Sequence, residues 1–174
     1  MNTHVLHQHS SRNTEGIYPF IGLPVRLGFP SRADFEVLHD ARARPCAIVA
    51  RREFLRITRM CRVSGQLLPY RCRQTRQLQT GIHIYDRLFC GLIEHSCDPN
   101  VFIDMSELWL WALRDIQPGE RLTMDLTATE DKLLKQFACG CRSAHCRGWI
   151  TGYDEPPSLE GQRYLKNWLR QGMR

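Results

Sequence analysis

Three cysteines fall close together in Cys139-Gly-Cys141-Arg-Ser-Ala-His-Cys146, a C-x-C-x4-C cluster. Thiols at this spacing ask for a metal, because short loops bend sulfurs toward one point and tetrahedral zinc takes four such ligands at about 2.3 Å. The run supplies three, so a fourth must come from elsewhere. The best candidate is Cys97, in Glu94-His-Ser-Cys97-Asp-Pro-Asn100. The other cysteines, Cys46, Cys61, Cys72 and Cys90, are scattered through apolar or basic surroundings. Eight is an even number and admits a disulfide framework. With four claimed by metal spacing, the rest read as reduced and buried.

Read together, Gly91-Leu-Ile-Glu-His-Ser-Cys-Asp-Pro-Asn100, Gly119-Glu-Arg-Leu-Thr-Met-Asp125 and Phe137-Ala-Cys-Gly-Cys-x4-Cys-Arg-Gly148 resemble the SET domain with its post-SET zinc segment. The family pattern runs F-I-N-H-S-C-x-P-N, then G-E-E-L-T-x-D-Y, then C-x-C-x4-C. The resemblance covers about residues 78–153. It implies that Cys97 completes a four-thiolate Zn2+ site with Cys139, Cys141 and Cys146, structural in kind because no position is left for water.

The resemblance also implies S-adenosylmethionine as cofactor. His95 would lie with its backbone against the adenine edge. Glu94 stands where the family has an asparagine that reaches the methionine end, and a carboxylate there would pair with the α-ammonium through a charge-assisted hydrogen bond. The family's G-x-G loop has no clean counterpart. Thr14-Glu-Gly16-Ile-Tyr18 is the nearest approach and offers the single glycine Gly16. Trp149 or Tyr153 would close over the cofactor. The catalytic tyrosine of L-T-x-D-Y, whose hydroxyl orients the lysine amine and favours its neutral form, is Leu126 here. Alignment of amine and sulfonium supplies most of the acceleration in such a transfer, so a replacement hydroxyl is expected from Tyr85 or Tyr153.

The implied activity is protein-lysine N-methyltransferase. Leu126, the poorly matching N-terminal half and a cluster of arginines leave room for two others. One is a SET scaffold that methylates or cyclises a small molecule in a biosynthetic pathway. The other is a non-catalytic SET protein.

Several elements must hold these motifs. Glycines and prolines interrupt residues 16–30 every few positions and read as short strands and turns. Ser31 reads as the N-cap of a short helix. Residues 47–49 and 54–63 alternate apolar with basic residues, as half-buried strands do. Residues 78–84 and 88–93 suggest a strand pair about Tyr85-Asp86. Residues 101–103 and 108–113 suggest a hairpin, with Trp109 and Trp111 on one face and read as core. Residues 122–126 suggest a strand, 130–136 a helical turn, and 158–171 a helix burying Leu159, Tyr164, Leu165, Trp168 and Leu169. The fold class is mostly β with short helices, which the resemblance sharpens to small curved sheets around a pseudoknot, a zinc segment and a C-terminal helix. The expected divisions are a disordered tail at 1–16, the SET domain at 17–136, the post-SET segment at 137–153 and a helical extension at 154–174.

Composition bounds the rest. The 174 residues suit one domain with a real core. No apolar run approaches the ~18–20 residues that span a bilayer, and the first residues lack a secretory signal's apolar core, so the cytoplasm is the expected compartment. His4, His7 and His9 read as a polar tail. The net charge is +6, and ten arginines lie between Arg42 and Arg76. That density suits a nucleic-acid or histone-tail face, an anionic small molecule, or a solvated strand surface.

Overall fold

A computed structural model of the chain describes residues 13–170. Its first strands, β1 (Phe35–His39) and β2 (Pro45–Ala50), form an antiparallel hairpin with Phe35 opposite Ala50. Ala47 to Ala50 are buried at successive positions, so β2 is covered on both faces and its apolar run is continuous rather than alternating. The expected helix at Ser31 is a single turn. Ser31 Oγ accepts from the Asp34 N–H at 3.0 Å, but the chain leaves the turn at Phe35, whose ring is buried in a stack on Phe54 with centroids 5.3 Å apart. Tertiary packing overrides the cap.

β3 (Arg59–Arg62), β4 (Gln66–Leu68), β5 (Thr75–Gln79) and β6 (Ile82–Tyr85) follow. β6 is the middle strand of a sheet with β4 and β5. The hairpin turns at Thr80-Gly81, where Gly81 adopts φ 77°, and not at Tyr85-Asp86 as the sequence suggested. Asp86 instead organises a tight turn. Its carboxylate accepts from the N–H groups of Leu88, Phe89 and Cys90 and from the buried Tyr18 hydroxyl at 2.7 Å. Residues 88–93 are therefore a turn and a 3-10 segment, Cys90–Leu92. Gly91 is required there, since a Cβ would lie 2.0 Å from the Asp86 carbonyl oxygen.

β7 (Glu94–His95), β8 (Val101–Asp104), β9 (Trp109–Ala112) and β10 (Thr123–Met124) carry two of the three motifs. β3, β9 and β8 form one antiparallel sheet whose register sets Ile103 opposite Leu110 and Val101 opposite Ala112, all buried. Burial of such side chains stabilises by ~1.5–3 kcal/mol each for the larger ones. Trp109 and Trp111 are not core. They occupy the outer face under the Arg59 and Arg62 guanidinium groups, 5.0 to 5.4 Å from the ring centroids.

α1 (Leu126–Thr129) begins immediately after β10, capped by Asp125, whose side chain accepts from the Thr127 N–H. Residues 130–136, expected as a helical turn, are bends without helix. β11 (Phe137–Ala138) pairs with β12 (Trp149–Ile150), and α2 (Leu159–Arg170) packs on them. α2 turns Gly161, Tyr164, Leu165 and Trp168 inward, while Leu159 and Leu169 are 73% and 68% exposed. Gln171 lies outside the described residues, as do His4, His7 and His9.

The described part of the expected tail belongs to the fold. Asn13 donates to the carbonyls of Tyr18 and Leu23, and Gly16 bridges Ser31. The arginine cluster does not form a single face. Arg44, Arg52, Arg59 and Arg71 pair with Asp40, Asp34, Glu107 and Asp131, and Arg76 is buried, held by the carbonyls of Thr75 and Ile93. No helix among the described residues is long and apolar enough to cross a membrane.

Candidate active site

The centre of the site is a two-strand parallel pair. β7 lies beside β10, with Glu94 opposite Thr123 and His95 opposite Met124. Asn100 locks them, its side chain donating to the Arg121 carbonyl and accepting from the Thr123 N–H, both at 2.8 Å. Ser96 N–H donates to the Met124 carbonyl at 3.0 Å. Two motifs far apart in sequence thus share one wall, and Leu126 follows directly.

His95 joins this wall to the cysteines. Its Nδ1 accepts from the Leu126 N–H at 3.3 Å, which leaves the ring proton on Nε2, 3.5 Å from Cys97 Sγ. Burial holds the imidazole down at about 4, with Arg147 acting the same way and Asp125 opposing. The ring is therefore neutral near pH 7, which suits it to donate to a sulfur. Phe137 packs on its edge with centroids 5.7 Å apart.

The sulfurs of Cys97, Cys139, Cys141 and Cys146 lie within 4.8 Å of one another. Cys97 and Cys139 are 3.8 Å apart, the edge of about 3.8 Å that a tetrahedron with arms of about 2.3 Å requires. The Arg147 N–H points at Cys97 Sγ at 3.4 Å, and the Arg147 side chain reaches Asp125 at 2.5 Å. Burial acts to raise the Cys141 thiol, but backbone hydrogen bonds at Cys97 and Ser143 and contacts with Cys139 and Cys146 outweigh it and bring it down, while burial pushes the thiols of Cys139 and Cys146 up. An all-sulfur set of this size fits one tetrahedral metal ion. Of the remaining cysteines, Cys61 and Cys90 are buried, Cys72 is half-buried and Cys46 is exposed, against the expectation that all four are inside.

An open cleft of about 1050 Å³ runs between the wall and the cysteine segment. Glu94, His95, Thr123 and Leu126 line one side and Phe137 and Cys139 the other. Asp40 and Arg44, from the hairpin connection between β1 and β2, and Pro45 and Cys46, at the start of β2, also line it. A second cavity of about 710 Å³ lies against the same segment and is lined by Met124, Asp125, Ala128, Thr129 and Tyr153. Residues 123–129 therefore separate two spaces, with Leu126 facing the first.

The structure brings Glu94, His95 and the four cysteines together and disperses the other expected site residues. Gly16 is pinned to Ser31 and does not line the cleft. Trp149 is buried beside α2 with its Nε1 on Gln136 at 3.0 Å, and the aromatic at the cleft is Phe137. Tyr85 lines a separate cavity with Tyr18 and Leu88. Tyr153 is 59% exposed at the second cavity, 3.5 Å from Gln77. Arg121, inside the second motif and bridged to Val49, also lines the cleft and pairs with Glu94; an exposed arginine there carries no local signal in the sequence.

Comparison with known proteins identifies the architecture. The family model described as SET domain matches residues 34–126, more than half of the chain. The chain belongs to the SET-domain family. It is 38% identical over 80 residues to the histone-lysine N-methyltransferase Set2 of Drosophila melanogaster, a match covering 41% of this chain and 3% of Set2. It is 32% identical over 94 residues to the methyltransferase flvH of Aspergillus flavus, covering 52% of this chain and 53% of flvH. The chain thus spans about half of flvH and a small part of Set2. Among solved structures, KRYPTONITE in complex with mCHG DNA and SAH superposes with a TM-score of 0.53 at 23% identity, covering 66% of this chain and 28% of that one. That likeness is one of fold.

Proposed function

We propose that the chain binds S-adenosylmethionine in the cleft between β7 and the cysteine segment and methylates an amine nitrogen, with a protein lysine as the acceptor. The observation that carries this reading is the parallel pair of β7 and β10, which sets Glu94, His95 and Leu126 on one wall opposite Phe137 and Cys139. Bound there, the cofactor supplies a sulfonium-activated methyl group. Glu94 would meet its charged amino-acid end, and Phe137 would cover an apolar face. Cys97, Cys139, Cys141 and Cys146 would hold Zn2+, which keeps residues 137–141 against the cleft. The Leu126 side chain offers no hydrogen bond, so an acceptor amine would be aligned by the shape of the cleft and by a hydroxyl from another residue. Tyr153 is the expected source, at the second cavity on the other side of residues 123–129, and is preferred to Tyr85, which lines a separate cavity with Tyr18 and Leu88.

A second reading, a small-molecule amine as acceptor, is favoured by Leu126 and by the second cavity, whose volume of about 710 Å³ lies in the range of about 300–1,000 Å³ usual for small ligands. Methyl transfer from labelled S-adenosylmethionine tests both. Label in histone peptides supports the lysine reading. Label only in small amines supports the second, and no transfer to either class contradicts the activity.

A further inference from the structure

Two ion pairs face the large cleft, and they differ in what they have left to give. At the hairpin end, Asp40 is spent. Its Oδ1 accepts from the N–H groups of Arg42 and Arg44 at 2.8 and 3.0 Å, and its Oδ2 takes Arg44 Nε and Nη2 at 2.9 and 2.7 Å. On the wall, Glu94 and Arg121 share a single contact, Nη1 to Oε2 at 2.9 Å. Glu94 Oε1 and Arg121 Nε and Nη2 have no hydrogen-bond partner among the described residues. Both side chains are about half exposed to the cleft. A third cation, Arg73, lines the cleft and pairs with no carboxylate among the described residues.

We infer that Glu94 and Arg121 form a clamp for a zwitterionic amino-acid group, with Arg121 taking the α-carboxylate and Glu94 the α-ammonium. This rests on the cofactor reading above and deepens it by naming Arg121 as a binding residue. A lone carboxylate at position 94 would attract the ammonium but repel the carboxylate beside it. Arg121 removes that conflict. The backbone supports the geometry, since Glu94 stands opposite Thr123 on the locked strand pair and Arg121 is two residues before Thr123. The guanidinium can keep Nη1 on Glu94 and present Nη2 and Nε to a second carboxylate, as its planar fork allows. The consequence is selectivity: S-adenosyl compounds with the complete amino-acid end are recognised, and those without it are not.

Calorimetry on the zinc-loaded full chain with two probes tests this. S-Adenosylhomocysteine carries both charges, and methylthioadenosine carries the nucleoside alone. Arg121→Ala should weaken S-adenosylhomocysteine by at least ~10-fold, the low end for hydrogen bonds to charged groups, and leave methylthioadenosine within about 2-fold. Arg121→Lys should restore part of the loss, because charge without the fork remains. Equal loss for both probes, or no loss for either, overturns the clamp. So does a selective loss in Arg44→Ala or Arg73→Ala with Arg121→Ala unchanged. If the parent protein binds neither probe while melting normally, the cofactor reading itself falls. If it binds methylthioadenosine alone, the cleft takes nucleosides and the clamp is wrong.

Discussion

At the scale of single residues, the cysteines and Leu126 make the sharpest demands. Four sulfurs packed within 4.8 Å repel one another as thiolates unless a cation joins them, so metal binding and folding of this segment are coupled. We expect one zinc per chain in freshly purified protein. Cys141→Ser should lose it and lower stability by several kcal/mol, as read by metal analysis and chemical denaturation; full zinc occupancy in that variant would rule out the assigned ligand set. Leu126 raises a different question, because it faces the cleft where the family pattern has a hydroxyl. If lysine methylation is native, Tyr153→Phe should cut the rate by ~100-fold or more, the lower end of what a positioned proton-handling group supplies. If the scaffold serves another acceptor, Leu126→Tyr should create lysine methylation that the parent lacks. Robust methylation by the parent, unchanged in Tyr153→Phe, would remove both ideas.

At the scale of elements, packing contacts decide what local pattern could not. α2 docks on β12 through Gly161, where a Cβ would lie 2.3 Å from Trp149 Nε1. Gly161→Val should therefore push the helix away from β12 and cost ~1–3 kcal/mol by overpacking, visible as faster hydrogen exchange in residues 149–150 and 159–170. Glu130 is tied to β5, its carboxylate accepting from the Gln77 N–H at 3.0 Å. Burial raises its pKa, with Arg76 and Arg71 opposing and Asp131 adding. The protonated form thus suits the fold, and its contribution is complete below the unfolded value and lost as pH rises through the folded one. Glu130→Gln keeps the acceptor and removes the ionisation, so its stability relative to the parent should increase from pH 4 to pH 8. A constant difference across that range would show that burial of this carboxyl is not what matters.

The same elements mark where sequence reading succeeds and stops. The hairpin of β8 and β9 was legible because Val101, Ile103, Leu110 and Ala112 alternate with outward residues. The inward face was nonetheless assigned to Trp109 and Trp111, since bulk suggests core and nothing local reveals that arginines on β3 cover them. The turn at Gly81 is the one the sequence places at Tyr85-Asp86, because Asp86 carries a turn signal of its own, its carboxylate accepting from the N–H groups two to four residues further on. The cysteine cluster was legible because its spacing is itself the chemistry. The far end of the cleft was not, because the hairpin at Asp40 and Arg44 reaches it through the path of the whole fold.

At the scale of the whole molecule, membership of the SET family explains why short strands in several small sheets suffice. The two motif segments brace each other through Asn100, and His95 links the braced pair to the cysteines. Cofactor binding at this junction is what we propose, and hydrogen exchange of the zinc-loaded protein with and without S-adenosylhomocysteine tests it directly. Exchange should slow at residues 94–96, 123–126 and 137–141, with residues 16–20 and the Tyr85 cavity unchanged. Protection confined to the Tyr85 cavity, or no protection at saturating ligand, would contradict it.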